Sequence, residues 1–412
     1  MLDGGPESGQ GWSYLTADPP QVITWDECAG DGLAALGNVI GLSDHEPDWP
    51  APFPGGAIGY LAYDSVFPLE SLRVANPAPP PAGYLWAGVY DWLVAREEFT
   101  GRCWVRATNA LGRDPHVLIS AARTRLTNPA SPTPIVRVTG LTANMDRDAY
   151  SSRVRQVLDY IARGDCYQVN LARRLTMQCD ASSLDVYRQL IERHSAPFGA
   201  LLQAGPIDVV SASPELFLRS DGRHAIARPI KGTRPRGNSA TDDLRQSQDL
   251  RASSKDRAEN VMIVDVTRND FGRVCTPGTV KVTSLWSAEP HPTVWQLVSG
   301  IGGELPANAS VLDLLRACAP SGSVTGAPKL RAIEIIEELE PARRGAYCGS
   351  VFALGFDGSL TANVAIRTLQ LADGCASLHV GAGIVAGSDP DREYDETAHK
   401  AMGILRALGA HE

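Results

Sequence analysis

The chain has no long run of basic residues and no long apolar stretch. Its 412 residues carry a formal net charge of −9, and the basic residues are scattered, so no nucleic-acid partner is expected. No window approaches the ~18 uninterrupted apolar residues of a membrane span. The first residues, MLDGGPESGQGWSYL, lack the basic start and apolar segment of a secretion signal. We therefore predict a cytoplasmic protein without a membrane partner.

Closely spaced cysteines are also missing. The 8 cysteines are spread along the chain, and no two have C-x-x-C spacing. That spacing is typical of zinc and redox sites, so neither kind of site is expected. We interpret these cysteines as reduced thiols.

Residues 1–135 contain short apolar runs, rich in aromatic and β-branched residues and separated by proline and glycine. This pattern predicts strands and turns. The proline clusters at 76–81 and 128–134 are typical of surface connections. The second marks a boundary between an amino-terminal strand-rich subdomain, 1–135, and a catalytic region, 136–412.

Helical periodicity begins after this boundary. In 145–165 apolar residues recur at helical spacing, and Gly164 supplies a stop. Similar patterns predict helices at 184–194, 249–266, 310–318, 328–339 and 392–408. Strand candidates lie at 208–220, 279–286, 364–371 and 377–386. Because strands occur in neighbouring runs, an α+β fold with antiparallel sheets is favoured over a doubly wound parallel fold.

Lys231 lies between Ile230 and Gly232 in ARPIKGTRPRG, a segment with two prolines and two glycines. A surface lysine does not need such a rigid backbone, because its long side chain reaches water from almost anywhere. A lysine whose amine must meet a reacting atom does need one, since positioning lowers the entropic part of the barrier. The segment alone leaves both interpretations open.

Three glutamates form a second candidate group. Glu259 lies in a predicted helix whose apolar residues turn it toward the protein body, and Glu393 and Glu396 share one helix face. The spacing is compatible with a solvated acidic face, in which Lys400 is an ordinary ion-pair partner. It is also compatible with a magnesium site, because Mg²⁺ binds few protein carboxylates and keeps positions for water and substrate oxygens.

Two glycine-rich stretches suggest contacts with an anion. In PSGSVTGAPKLRAIEII, Ser323, Thr325 and Gly326 precede the predicted start of a helix. Free N–H groups and a hydroxyl at a helix start suit a carboxylate. In HVGAGIVAG, Gly381 and Gly383 end a strand, where a missing side chain lets a ligand approach. Each stretch is equally compatible with an ordinary turn.

Taken together and in order, these segments resemble the chorismate-binding enzyme family. The relatives are the large subunits of anthranilate synthase and aminodeoxychorismate synthase, with isochorismate and salicylate synthases more distant. The resemblance covers nearly the whole chain, from about residue 12 to residue 407. Its matching stretches include PFPGGAIGYLAYD, CYQVNL, SASPELFL, PIKGT, DRAENVMIVDVTRND, PSGSVTGAPKLRAIEIIEELEP, AIRTL, GAGIV and REYDETAHKA.

The resemblance implies two antiparallel β-sheets packed as a sandwich, with flanking helices and an active site in a cleft beside it. It implies that Glu259 and Glu396, with Glu393 beside them, bind Mg²⁺, which holds the ring carboxylate of chorismate. Glu215 matches the proposed general acid that protonates the leaving 4-hydroxyl. The other positions implied around the substrate are Gln168, Thr233, Ser323, Thr325, Gly326, Arg367, Gly381, Gly383 and Lys400.

Two positions indicate the branch of the family. Water-adding members carry a lysine in place of Gln168, and glutamine is a poor general base. Anthranilate synthases typically have alanine in place of Lys231, whereas lysine marks the aminodeoxychorismate branch. There the resemblance implies that the lysine amine attacks C2 while Glu215 expels the 4-hydroxyl, and that ammonia then attacks C4. Lys231 must be neutral when it attacks, which partial burial would promote.

Four positions depart from the family pattern. Gln296 replaces a histidine linked to proton removal before pyruvate leaves, and glutamine cannot take that proton. This fits an amination that keeps the enolpyruvyl group. Phe352 and Ala353 replace a Gly-Tyr pair whose tyrosine helps hold the enolpyruvyl carboxylate, and Thr361 replaces a common aspartate. The missing tyrosine is expected to weaken binding by on the order of 1 kcal/mol, or to accompany a somewhat different substrate.

We predict an enzyme that aminates chorismate at C4, giving 4-amino-4-deoxychorismate on the way to 4-aminobenzoate and folate. Neither GDCYQ nor DGCAS resembles the nucleophile turn of a glutaminase, so a separate glutamine amidotransferase subunit is expected to supply ammonia. The alternatives are a diverged chorismate-transforming synthase of secondary metabolism and a catalytically silent chorismate-binding subunit. Binding of tryptophan in the amino-terminal sheet, as in some relatives, stays open.

Overall fold

The computed structural model describes residues 1–4, 11–26, 30–42, 49–74, 83–127, 134–194, 196–291 and 294–410. The predicted proline-rich connections at 76–81 and 128–133 lie outside these ranges. Across the described ranges, no helix is both long enough and apolar enough to cross a bilayer.

The first strands are β1 Leu2–Asp3, β2 Trp12–Leu15, β3 Gln21–Trp25, β4 Gly56–Leu61, β5 Leu85–Tyr90, β6 Trp92–Glu97, β7 Cys103–Ala107, β8 Thr139–Ala143, β9 Gln168–Gln178, β10 Phe198–Gln203 and β11 Asp208–Ser213. The later strands are β12 Leu216–Ser220, β13 His224–Ala227, β14 Ile230–Pro235, β15 Lys281–Pro290, β16 Val294–Glu304, β17 Gly326–Ala327, β18 Ser350–Gly355, β19 Leu360–Asn363, β20 Thr368–Ala372 and β21 Cys375–Val385. The helices are α1 Gly32–Leu36, α2 Val66–Leu69, α3 Pro115–Thr127, α4 Arg147–Ala162, α5 Ser183–Arg193, α6 Ala240–Ala252, α7 Ser254–Gly272, α8 Val311–Cys318, α9 Lys329–Leu339 and α10 Pro390–Ala407.

These strands form two antiparallel sheets. The larger, 11-stranded sheet has the order β17-β9-β21-β20-β11-β10-β1-β2-β6-β7, with β8 beside β9. The 10-stranded sheet has the order β14-β16-β13-β12-β19-β18-β4-β5-β3, with β15 beside β16. The longest ladder, between β9 and β21, pairs Gln168 with Val385 at one end and Gln178 with Cys375 at the other.

Apolar side chains of both sheets share one core. One cluster joins Tyr14 and Ala200 of the larger sheet to Ile58, Trp86 and Val351 of the smaller one. Two sheets that bury their apolar faces against each other form a sandwich. The predicted α+β sandwich with flanking helices is confirmed.

Strands that precede residue 135 belong to both sheets. β1, β2, β6 and β7 lie in the larger sheet, whereas β3, β4 and β5 lie in the smaller one. The amino-terminal strands therefore pair with strands of the region 136–412, as in the ladder between β4 and β18. The predicted boundary near 135 lies beside residues outside the described ranges and stays a prediction.

Most predicted helices lie within a few residues of their expected bounds, but the single helix predicted over 249–266 is wrong. Two helices, α6 and α7, meet at Ser253, whose backbone is extended at φ −63° and ψ 108°. The Ser253 side chain accepts a hydrogen bond from the Asp256 N–H at 3.2 Å. A serine that caps the next helix in this way cannot continue the preceding one.

The strand predicted over 208–220 is likewise interrupted. β11 ends at Ser213 in the larger sheet, and β12 begins at Leu216 in the smaller sheet. The intervening Pro214 has no N–H to donate to a ladder. The chain crosses from one sheet to the other at this point, and this crossing carries Glu215.

Candidate active site

A cleft of about 440 Å³ opens beside the sandwich. Its size and mixed polar and apolar lining suit a small ligand. Ten predicted site residues line it, namely Glu215, Lys231, Thr233, Glu259, Ser323, Arg367, Gly381, Gly383, Glu396 and Lys400. The other four, Gln168, Thr325, Gly326 and Glu393, are not among the residues that line it.

Glu215 is a buried carboxyl group at the crossing between the sheets, with 4% of its surface exposed. Its Oε1 accepts a hydrogen bond from the Ile230 N–H at 3.4 Å. Burial raises its pKa to about 7, although Ser323 and the charge of Lys231 act in the opposite direction. A carboxyl group with this pKa can donate a proton near neutral pH.

Lys231 lies at an irregularity of β14. The register with β16 shifts between Ile230 and Thr233, and Gly232 has φ +90°, a conformation that favours glycine. A β-carbon at Gly232 would lie 2.9 Å from the Asp256 β-carbon of α7. This bulge turns the Lys231 side chain into the cleft, which favours a positioned amine over a surface cation.

The Lys231 amine is held by the turn before β17. Its Nζ donates a hydrogen bond to the Ser323 carbonyl at 2.9 Å. Burial lowers its pKa, and Lys400 lowers it further, whereas Glu259 and Glu215 act in the opposite direction. A lowered pKa increases the share of the amine that is neutral and nucleophilic.

Arg344, a fully buried arginine, fixes the turn that carries Ser323. Arg344 donates hydrogen bonds to the Val324 carbonyl at 3.0 Å and to the Asn170 carbonyl at 2.6 Å. It also makes two hydrogen bonds with the Glu340 carboxylate, at 2.9 and 2.6 Å. This network ties α9, β9 and the turn into one rigid support for the Lys231 contact.

Two carboxylates face the cleft from different helices. Glu259 on α7 lies 3.8 Å from Lys255, and Glu396 on α10 lies 2.7 Å from Lys400. Burial raises the pKa of Glu259, and the negative charge of Glu396 raises it further. Burial opposes the shift at Glu396, but Lys400 lowers its pKa overall.

Glu393 is not among the residues that line the cleft. It has 5% of its surface exposed, and burial raises its pKa while a hydrogen bond from Ser388 opposes this shift. Within the described ranges, no three His, Cys, Asp or Glu side chains form a metal-binding group. Glu259 and Glu396 are two oxygen donors on a cleft that has room for a ligand, which is compatible with a Mg²⁺ ion completed by water and substrate.

The wall opposite α7 is formed by β21. Lys400 donates a hydrogen bond to the Gly381 carbonyl at 2.9 Å, which fixes α10 against this strand. A β-carbon at Gly383 would lie 3.1 Å from the Gln168 amide nitrogen and 3.8 Å from Lys231 Nζ. The absence of a side chain at Gly383 therefore keeps the cleft open beside the amine.

Gln168 lies behind Gly383 and is fully buried. Its amide nitrogen and oxygen both lack a hydrogen-bond partner among the described residues. A buried amide without partners is unfavourable by about 1–3 kcal/mol per group. The amide is therefore available to a small polar molecule that reaches this end of the cleft.

Two predicted contacts of the glycine-rich turn do not reach the cleft. The Thr325 hydroxyl donates to the Ser321 and Gly322 carbonyls at 3.1 and 3.4 Å. Gly326 pairs with Val169 in the ladder between β17 and β9. In the structure the threonine closes its own turn and the glycine permits close strand pairing, and the prediction that these residues meet a ligand stays a prediction. α9 itself begins at Lys329.

The sequence analysis missed two aromatic residues of the cleft. Tyr347 and His379 both line it, and their rings stack with centroids 5.2 Å apart and planes inclined by 13°. Burial lowers the pKa of His379 to about 3, so its imidazole is neutral. The only sequence signal for Tyr347 was an aromatic residue between the turn glycines Gly345 and Gly349.

The departures from the family pattern fall in two places. Gln296 lines the cleft, opposite Thr233 in the ladder between β14 and β16. Phe352, Ala353 and Thr361 instead line a second cavity of about 60 Å³. Phe352 and Ala353 are not among the residues that line the cleft, whereas Tyr347 is, and the expected effect of the missing family tyrosine on binding stays a prediction.

The cleft thus joins a buried acid, a partly buried amine, facing carboxylates and a glycine-lined wall, the pattern expected from the family motifs. A model of the family described as chorismate binding enzyme matches residues 8–406. The chain belongs to the chorismate-binding enzyme family. Within this family, the acid and amine of the cleft can act on a small substrate, but their positions alone do not distinguish one family reaction from another.

Relatives from two branches of the family are similar to the chain. Aminodeoxychorismate synthase component 1 of Escherichia coli is 40% identical over 382 residues, which cover 92% of this chain and 83% of the relative. Anthranilate synthase component 1 of Thermus thermophilus is also 40% identical, over 390 residues that cover 92% and 82%. Overall identity therefore does not separate the two branches.

The fold is similar to a crystal structure of anthranilate synthase component I from Streptococcus pneumoniae. The TM-score is 0.85 at 27% sequence identity, and the match covers 95% of this chain and 92% of that chain. The two chains therefore share the sandwich and its flanking helices.

Proposed function

We propose that the protein aminates chorismate at C4 to give 4-amino-4-deoxychorismate, with Lys231 as a covalent nucleophile. The observation that carries the proposal is the Lys231 amine, which lies in the cleft and is held by the Ser323 carbonyl at 2.9 Å. Its lowered pKa and the raised pKa of Glu215 support opposite roles for the two side chains. The similarity to aminodeoxychorismate synthase component 1 supports the same reaction.

In the first step, Glu215 donates its proton to the 4-hydroxyl group, which leaves as water. The neutral Lys231 amine attacks C2, both conjugated double bonds of the ring shift toward C4, and a C2–N bond forms as the C4–O bond breaks. Glu215 is buried and Lys231 is partly buried, which reduces the access of bulk water and strengthens their interactions with the substrate.

In the second step, ammonia attacks C4 and both double bonds shift back as the C2–N bond to Lys231 breaks. The ammonium product loses one proton, and the enolpyruvyl group stays in place. The net reaction consumes chorismate and ammonia and releases water. Gln296 supports this outcome because an amide cannot remove the proton that a pyruvate-releasing step requires.

The substrate carboxylates have separate candidate partners in the cleft. Arg367 carries a positive charge and has no carboxylate within ion-pair distance among the described side chains. Glu259 and Glu396 would hold a Mg²⁺ ion, with Glu393 behind them, and this ion would supply positive charge to the ring carboxylate when bound. Lys255 and Lys400 are the cations that pair with these glutamates in the structure.

We further propose that a separate glutamine amidotransferase subunit supplies the ammonia and that the enzyme works in the cytoplasm. The name component 1, which the similar synthases carry, supports a second component.

Product identification tests the proposal. The purified chain is incubated with chorismate, magnesium chloride and an ammonium salt, with and without excess EDTA, and the products are resolved by liquid chromatography and mass spectrometry. We expect a 4-amino product without pyruvate, and loss of turnover when EDTA removes the metal. Release of pyruvate would contradict C4 amination.

An anthranilate-forming or otherwise diverged synthase is the second candidate. The 40% identity to anthranilate synthase component 1 favours it as much as the first candidate. The same assay separates the two, because anthranilate formation releases pyruvate and a diverged reaction gives another mass. Binding of chorismate without any product would indicate a catalytically silent subunit.

A further inference from the structure

We infer that His194 is a positioning residue that orients Arg367 for a substrate carboxylate. The inference rests on the proposed function, because it assigns Arg367 to a carboxylate of the substrate. The direct observation is a contact of 3.4 Å between Arg367 Nη1 and His194 Nε2.

The chemistry of the pair fixes the state of the imidazole. A guanidinium group can only donate hydrogen bonds, so His194 Nε2 must accept. The ring must therefore be neutral, with its proton on Nδ1. Burial, with the nearby charge of Arg367, lowers the pKa of His194 to about 4, which agrees with a neutral ring at physiological pH.

A neutral acceptor has an advantage over an acidic one at this place. A carboxylate beside Arg367 would orient the guanidinium but would also neutralise it, and so would compete with the substrate. An imidazole orients the group while leaving its charge to the ligand. His194 thus orients the Arg367 guanidinium group without neutralising its positive charge.

The backbone of Arg367 is already fixed. It has φ +52°, which is uncommon for a residue other than glycine, and its carbonyl accepts a hydrogen bond from the Ala212 N–H at 3.0 Å. The Arg367 side chain is therefore attached at a fixed backbone position next to β20. The contact with His194 selects among its remaining rotamers.

His194 is itself held between two helices. It is the residue that ends α5, and its ring lies against Gly403 of α10. A β-carbon at Gly403 would lie 3.0 Å from Cε1 and 3.1 Å from Nδ1 of His194. α10 also carries Glu396 and Lys400, so the imidazole couples the position of Arg367 to the helix that carries these cleft residues.

The first test compares His194→Ala and His194→Asn with the wild-type enzyme. Asn can accept a hydrogen bond from Arg367, whereas Ala cannot. For H194A we expect the KM for chorismate to rise on the order of tenfold, with a smaller change in kcat, and H194N to recover part of the loss. The exposed His116 supplies a matched control, H116A, that should leave both constants unchanged.

The second test uses Gly403→Ala, which moves the imidazole from the other side. Alanine favours a helix over glycine, so a folding defect is not expected. We expect KM to rise about threefold in the wild-type background and not at all in the H194A background, where no ring remains to be displaced. Equal effects in both backgrounds would overturn the inference.

The third test requires no turnover. Nuclear magnetic resonance of protein labelled with ¹⁵N-histidine, assigned with H194A, reports the ring tautomer. The Nδ1–H form is expected, and the Nε2–H form would overturn the inference. Chorismate affinity from tryptophan fluorescence separates the two levels of proposal: a wild-type protein that does not bind chorismate refutes the proposed function, while the tautomer still tests the contact with Arg367.

Discussion

Glu215 and Lys231 lie in one cleft with pKa values displaced toward each other. Burial raises the pKa of the acid to about 7 and lowers that of the amine. Desolvation disfavours the charged form of each group, so the same environment prepares a proton donor and a neutral nucleophile. Placing both side chains at sheet irregularities allows this without a long loop.

Replacing Lys231 with alanine tests the nucleophile. We expect kcat to fall by at least about 100-fold, because no other amine of the cleft is held by the Ser323 carbonyl. Steady-state kinetics with ammonium salt would measure the loss, and fluorescence titration would confirm that chorismate still binds. Lys231→Arg is the control for charge, since it keeps a cation but supplies no nucleophile. Turnover of K231A at the wild-type rate would contradict the mechanism.

The pH dependence of the rate should report Glu215. Its protonated form is the proton donor, and its pKa is raised to about 7, so the rate should fall as the pH rises above about 7. The rate should rise with pH as the Lys231 amine loses its proton. Because the pKa of Lys231 is lowered, this rise should occur below the pH range in which an ordinary lysine titrates. The profile of kcat/KM is to be measured at constant free ammonia. A rate that keeps rising to pH 9 would exclude Glu215 as the acid.

Glu215→Gln should stabilise the protein at alkaline pH. A carboxyl group whose pKa is raised on folding weakens the folded state as the pH rises from its unfolded pKa, 4.5, to about 7, and by a constant amount above that. The gain in the free energy of unfolding is on the order of 2–3 kcal/mol at pH 8 and close to zero at pH 4. Urea denaturation at the two pH values measures it, and an equal gain at both would contradict burial as the cause.

At the scale of elements, irregularities of regular structure carry the site. The bulge of β14 presents Lys231, and the crossing between β11 and β12 presents Glu215. Both interrupt a ladder at the edge of the cleft, where a regular strand would turn alternate side chains away. Their positions follow from a glycine and a proline in the sequence.

Gly232→Ala tests the bulge. The new β-carbon would meet Asp256 at 2.9 Å, and φ +90° is strained for alanine, so we expect a loss of about 2–4 kcal/mol in stability together with reduced turnover. Gly278→Ala is the matched control, because Gly278 has φ +83° but a β-carbon added there would have no atom within 4 Å among the described residues. Thermal unfolding of both variants isolates the steric part. Equal losses would show that the contact with α7 contributes nothing.

The sequence predicted elements whose signals are local. α4 and α10 have capping aspartates, Asp146 and Asp389, directly before their apolar periodicity. The break at Ser253 was missed because helical residues continue on both sides of it. A serine can cap a helix or lie within one, and only the packing of α6 and α7 decides between these states.

Much of the cleft was also predictable, since Lys231, Glu215 and the glycines of β21 lie in recognisable motifs. Tyr347 and His379 were not, because their ring contact joins the turn before β18 to β21. The hydroxyl contacts of Thr325 were not predictable either, since sequence alone does not show whether a hydroxyl faces a ligand or its own turn.

At the scale of the whole molecule, the property to test is where the enzyme obtains its ammonia. We expect the purified chain to use ammonium salts but not glutamine, because its cysteines show no glutaminase pattern. Adding a glutamine amidotransferase subunit should restore turnover with glutamine at least tenfold above the isolated chain. Turnover with glutamine alone, after contaminating ammonia has been removed enzymatically, would contradict the need for a partner.

The ladder between β4 and β18 joins segments separated by roughly 290 residues. A ribosome that adds about 5–20 residues per second needs roughly 15–60 s to synthesise that interval. During this time β4 has only β5 beside it, and its other edge is open to unwanted pairing. The smaller sheet is therefore completed only after β18 has been synthesised, and the yield of the protein in cells should depend on chaperones that cover the exposed edge of β4.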